Sequence, residues 1–208
     1  MTDKNTFMNA GRDRSTGDRS PHAHRGWTDF LAHRWPTAVG VVLAALTAFD
    51  LRIDAESIPS LSAVVVLMAL VYVGAAALWR SATWVVFLAA LAVVIFFPAT
   101  SGGGPVAVLL AAAAVFLALG VVRGRLREPG GLAFQAAGVL AFGATALAAL
   151  YVAPEIGAYL VALALLSHAA WDAYHYLRDR VVERSYAEFC AVLDLLVGAA
   201  VLFILFMT

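Results

Sequence analysis

The chain has 208 residues, of which 62% are hydrophobic and 13% charged, and its formal net charge is zero. A soluble domain of this size carries about 25% charged residues, so the composition argues against a water-soluble globule, and a neutral chain offers no electrostatic footing for nucleic acid. The single cysteine, Cys190, rules out an intramolecular disulfide.

Residues 1–26 are rich in Asp, Arg, Ser, Gly and His. Such a segment buries too little apolar surface to fold alone and is predicted to be a disordered cytoplasmic tail. It does not resemble a signal peptide, and the first apolar run reads as a retained signal-anchor helix. Trp27, Phe30, Leu31 and Trp35 follow at helical spacing. Residues 27–34 therefore read either as a short interfacial helix or as an ordinary juxtamembrane aromatic anchor.

A membrane-spanning helix needs about 20 mostly apolar residues, with about 17 at the low end. Seven segments of residues 35–208 qualify: Trp35 to Leu51, Leu61 to Trp79, Ala82 to Phe97, Pro105 to Val122, Gly131 to Val152, Ile156 to about Leu177, and Ala187 to Met207. Pro98 and Pro154 punctuate the third and fifth, and Pro105 opens the fourth, where its missing N–H costs nothing. The expected fold is an all-α bundle of seven transmembrane helices.

Loop charges test that count. Lys4, Arg12, Arg14, Arg19, Arg25 and Arg34 precede the first span; Arg80, Arg123, Arg125, Arg127, Arg178, Arg180 and Arg184 fall in alternate later loops. The remaining loops hold one basic residue, Arg52, among Asp50, Asp54 and Glu56. Basic loops thus alternate with non-basic loops at every crossing, which places the N-terminus in the cytoplasm and the C-terminus outside. The expected location is the cell membrane, with the lipid bilayer as partner. Ala111 to Ala114, Gly138, Gly143, Ala144 and Ala148 favour close helix approach, in a tight monomer or at a homo-oligomer face. The run Ser101 to Gly104 lacks the Lys and Ser/Thr of a phosphate-binding loop.

The sixth span holds His168, Asp172 and His175, spaced i, i+4, i+7 on one helical face. The seventh holds Cys190 and Asp194, spaced i, i+4. Ionisable groups at membrane depth are expensive and are either paired or used. His168 lies ten residues before Arg178, and Asp194 ten after Arg184. At about 1.5 Å per residue both lie about 15 Å from the arginine level. Asp172 and Cys190 share a second level about 9 Å in, with His175 nearer the interface. Trp171 and Tyr174 flank this face, as pocket lining or as interfacial anchors.

Three readings fit the cluster. In the first, His168, Asp172, His175 and Asp194 bind a divalent metal such as zinc, with Cys190 and Trp171 as additional neighbours; the metal would activate water against a lipid-like ester or amide. In the second, the groups relay protons or ions in a small transporter, with a solute path lined by Ser62, Tyr72, Gln135 and Thr145. In the third, a His–Asp hydrogen bond locks two helices of a structural or scaffold protein. A small-molecule or lipid ligand suits the first two. The absence of lysine from the seventh span excludes a retinal Schiff base.

Seven spans with a His/Asp cluster toward the cytoplasm broadly resemble, in architecture, the alkaline-ceramidase and progestin-receptor membrane hydrolase superfamily. The last span lacks the paired HxxxH of that superfamily, and the second to fourth spans contain no ionisable Asp, Glu, His, Lys or Arg. No residue role is transferred from it.

Overall fold

The computed structural model describes residues 27–97, 104–128 and 131–207. The tail 1–26, most of the glycine-rich run, and the side chains of Trp27, Phe30 and Leu31 lie outside the described residues. The described residues form seven α-helices and no strand: α1 Trp27–Phe49, α2 Ser57–Ala77, α3 Thr83–Phe96, α4 Gly104–Val122, α5 Leu132–Leu150, α6 Pro154–Arg178 and α7 Arg184–Met207. Short 3-10 turns at Arg80–Ala82 and Arg125–Arg127 precede α3 and follow α4. Residues 27–34 belong to α1, which contains Pro36. Arg34–Thr208 form one compact unit with its own apolar core.

Five helices, α2 and α4 to α7, are long and apolar enough to cross a membrane; the apolar stretches Arg34–Phe49 and Arg80–Phe96 are shorter. The expectation of seven helices is therefore met, and membrane-spanning length is met by five.

Helix α2 is the centre of the bundle. It packs against α3, α4, α5 and α6, and 89% of its most apolar window is buried, against 28% for α4. A helix that is hydrophobic all round has no face to give to water. Its sequence, from Leu61 through Val71 to Ala77, has no charged residue. Both ends are held by polar groups. At the start, the Asp54 carboxylate accepts from the backbone N–H of Glu56 at 3.0 Å and of Ser57 at 2.8 Å. These bonds, with that of the Ser57 hydroxyl, hold the Asp54 carboxyl below the usual carboxylate range. At the end, Arg125 donates to Ala76 O at 3.3 Å and Arg123 to Ala77 O at 3.2 Å. Cations at a helix C-terminus also oppose its dipole favourably.

Helices α6 and α7 form the most extensive pair. Arg178 ends α6, and Asp179 caps it with φ 50°, a left-handed conformation that Asp tolerates better than most residues. The Arg80 guanidinium pairs with the Asp179 carboxylate and also donates to Asp179 O. The Glu183 N–H donates to Thr83 Oγ1 at 3.2 Å, tying the hairpin to α3. On the other side of α7, Glu188 accepts from Arg34 at 3.1 Å and Thr37 at 2.5 Å.

Of the small residues singled out in the sequence, Gly138 matters most to the site. A Cβ there would stand 3.0 Å from the Trp171 ring. Its absence lets the α6 indole lie against α5, stacked on Phe134 with centroids 4.3 Å apart and planes 9° apart.

Candidate functional site

The α6 periodicity turns His168, Asp172 and His175 inward, and all three are buried, as are Asp194 and Cys190 of α7. The hairpin brings the first level together as counted: His168 Nδ1 is 3.0 Å from Asp194 Oδ2. The same nitrogen is 3.2 Å from Asp172 Oδ2, one turn along α6. Ligand atoms of His168, Asp172 and Asp194 all lie within 4.8 Å of one another.

His175 is not part of this group. Its Nε2 lies 3.0 Å from Gln135 Nε2 of α5, and its Nδ1 lies 2.8 Å from Trp171 O. Both ring nitrogens are therefore engaged away from the two carboxylates. Cys190 is a free, buried thiol outside the three-residue group. Trp171 stacks on Phe134 and sits edge-on to Phe142, so it walls the site. Phe142 in turn packs edge-on against His168, centroids 4.7 Å apart. Tyr174 is half exposed and lies beside Arg178, as an anchor would.

The fourth polar member comes from α2. Tyr72 Oη donates to Asp172 Oδ1 at 2.6 Å, and the Tyr72 ring is buried. Of the polar residues considered for a solute path, Tyr72 and Gln135 join the interior network. Ser62 is buried, with no hydrogen-bond partner for its hydroxyl, and Thr145 bonds back to Ala141 O on its own helix. A tyrosine in an apolar helix is an ordinary packing residue by composition. Only its position opposite a buried carboxylate marks it.

Two features of the group remain open. Asp194 Oδ1 and His168 Nε2 are buried and have no hydrogen-bond partner among the described residues. Buried polar atoms are paired in the great majority of cases, and an unmade bond costs about 1–3 kcal/mol. The charges also do not balance. Two carboxylates face one imidazole, and among the described residues neither Asp172 nor Asp194 has a Lys or Arg in ion-pair range. Even with a cationic imidazole the group carries one excess negative charge, which a low-dielectric interior does not tolerate without a further cation or proton.

A cavity of about 330 Å³ includes Asp194 in its wall. It is lined by α1, α2, α3, α6 and α7, and Asp194 is its one ionisable lining residue.

No protein family, curated protein or solved structure matches this chain.

Proposed function

We propose that this chain is a multi-pass protein of the cell membrane and a metal-dependent hydrolase of lipid-like substrates, with His168, Asp172 and Asp194 holding a divalent ion such as zinc. All seven helices span in this reading, with the N-terminus cytoplasmic; the alternation of basic loops supports it.

The observation that carries the metal is the charge deficit of the buried group. A divalent cation with neutral imidazole and two carboxylates sums to zero, whereas with both carboxylates ionised the protein alone leaves negative charge uncompensated. Geometry agrees: zinc–nitrogen and zinc–oxygen bonds of about 2.0–2.2 Å at tetrahedral angles place ligand atoms about 3.4 Å apart. The observed N···O separations are 3.0 and 3.2 Å. His168, Asp172 and Asp194 would hold the ion, and a bound zinc would supply a water made more acidic, its pKa lowered toward neutral. Tyr72 orients the Asp172 carboxylate from behind, the role an outer hydrogen-bond partner plays in metal sites.

The test is zinc content by elemental analysis of the purified full-length chain, beside His168→Ala and Asp194→Asn. The proposal expects near-stoichiometric zinc in the parent and its loss in both variants. A parent without bound zinc after zinc supplementation would remove the hydrolase reading. A reporter fused at the C-terminus checks the orientation, which requires it outside.

One observation favours a second reading. Tyr72, Asp172, His168 and Asp194 form a continuous hydrogen-bonded file. A proton held between the carboxylates would also balance a cationic His168, and the file would then serve a proton-coupled transporter. Zinc-free protein whose reconstituted vesicles show His168-dependent proton uptake would select it.

A further inference from the structure

The size and lining of the cavity beside Asp194 narrow the substrate. Its sides are Leu43 and Thr47 of α1, and Leu91 and Ile95 of α3; Leu193 and Asp194 of α7 form part of its inner wall. Leu43 is 40% exposed and Ile95 63% exposed, so the slot opens sideways from the bundle between α1 and α3. In a protein with helices of membrane-spanning length, that direction faces lipid tails.

We infer that the slot takes one hydrocarbon chain of a neutral, single-chain lipid, with the lipid's ester or amide group held at the Asp194 end. This rests on the metal reading for its chemistry, and on the cavity for its substrate class.

Three observations select that occupant. The first is size. A cavity of about 330 Å³ holds about ten methylene-sized groups, at roughly the 30 Å³ of a water each. That is room for one medium acyl chain. The second is lining: apart from Asp194 and Thr47, the residues around it are Leu, Val, Met, Phe and Ile. The third is charge. The lining contains no Lys or Arg, so a phosphate or carboxylate headgroup would lose its hydration without a basic side chain to pair with. A small neutral head avoids that loss.

Asp194 has no exposed surface, so the ester reaches the carboxylate group when a slot side chain changes rotamer. Near Thr47 and Leu61, which line both, the slot adjoins a polar vestibule lined by Asp50, Arg52, Asp54 and Glu56, from which the water for hydrolysis would enter and pass along the slot to Asp194. Hydrolysis then breaks the acyl C–O or C–N bond. Water gives its oxygen to the acyl carbon, and its protons pass to the released carboxylic acid and to the alcohol or amine.

The experiment is photolabelling of the full-length protein in nanodiscs of two-chain phosphatidylcholine. Two medium-chain monoacylglycerol probes are used, one with a diazirine beside the ester and one with it at the chain terminus. The first should label peptides around Leu193 and Val197, and the second those around Leu43 and Ile95. Leu91→Trp and Val64→Phe, which fill the slot, should each cut labelling at least tenfold while zinc content stays that of the parent. Labelling of Val115 and Leu140, on lipid-facing surfaces, in equal yield would overturn the inference. So would a reversed pattern of the two probes, or undiminished labelling in both variants. Slot labelling in a zinc-free parent would sink the metal and leave the slot standing; zinc without slot labelling would do the reverse.

Discussion

Tyr72→Phe removes one oxygen atom and leaves the ring in place. The ring is buried and packs tilted against His175, centroids 4.6 Å apart, so the substitution opens no cavity of consequence. What is lost is the hydrogen bond to Asp172 Oδ1 at 2.6 Å. A bond to a charged acceptor is worth about 1.5–3 kcal/mol in soluble proteins. Interhelical bonds within membranes average about 0.6 kcal/mol and reach about 1.7 kcal/mol. A short bond to a buried carboxylate belongs at the upper end of the membrane range, so the expected destabilisation is about 1–2 kcal/mol. The effect on metal is larger in proportion: loss of an outer partner typically lowers affinity about 10–100-fold. Cys190, the one cysteine and a buried one, makes the stability assay direct. A thiol-reactive dye reports its exposure on heating. Competition with a fluorescent chelator reads zinc affinity on the same sample. Zinc affinity unchanged in Tyr72→Phe would refute the orienting role given to Tyr72. An unchanged melting curve would refute the energetic account of the α2–α6 contact.

Two further outcomes concern the periphery. The hydrogen bond and charge of Arg80 hold the Asp179 carboxyl below its usual range, so the ion pair stabilises the fold at neutral pH and that contribution fades as pH falls below about 4. Asp179→Asn should melt below the parent at pH 7 and together with it at strongly acid pH, as followed by dye-detected melting; a constant gap at every pH would contradict the assignment. At Gly40 a Cβ would stand 2.9 Å from Phe189 O, a backbone atom that cannot rotate away. Gly40→Ala should therefore push α1 off α7 at a cost of about 1–3 kcal/mol, measured by the same melt, and a neutral result would show that α1 shifts freely along α7.

That the chain forms apolar helices, five of them long enough to cross a membrane, was legible in composition and run length, because a bilayer core demands long apolar helices with internally satisfied backbones. Segments α4 to α7 could be located to within a few residues for the same reason. Helix α2 starts at Ser57, four residues before the apolar run expected at Leu61. There Asp54 supplies the acceptors that let the first turn begin in polar sequence. Hydropathy does not register a side-chain cap.

Counting residues from the arginines also put His168 and Asp194 on one level, since helical rise is constant. Counting could not give the rotation of each helix about its axis. His175 shares a face with His168 by spacing, yet its ring turns to Gln135 and Trp171 O, because α5 and the Trp171 seat at Gly138 pack there. Tyr72 joins Asp172 across 100 positions of sequence, a pairing created by the burial of α2 at the centre. The sequence by itself determined an apolar helical chain and the kinds of chemistry its few polar residues allow. Tertiary packing alone decided that two carboxylates converge on one imidazole beside an apolar cavity, because rise is a property of the helix and azimuth is a property of its neighbours.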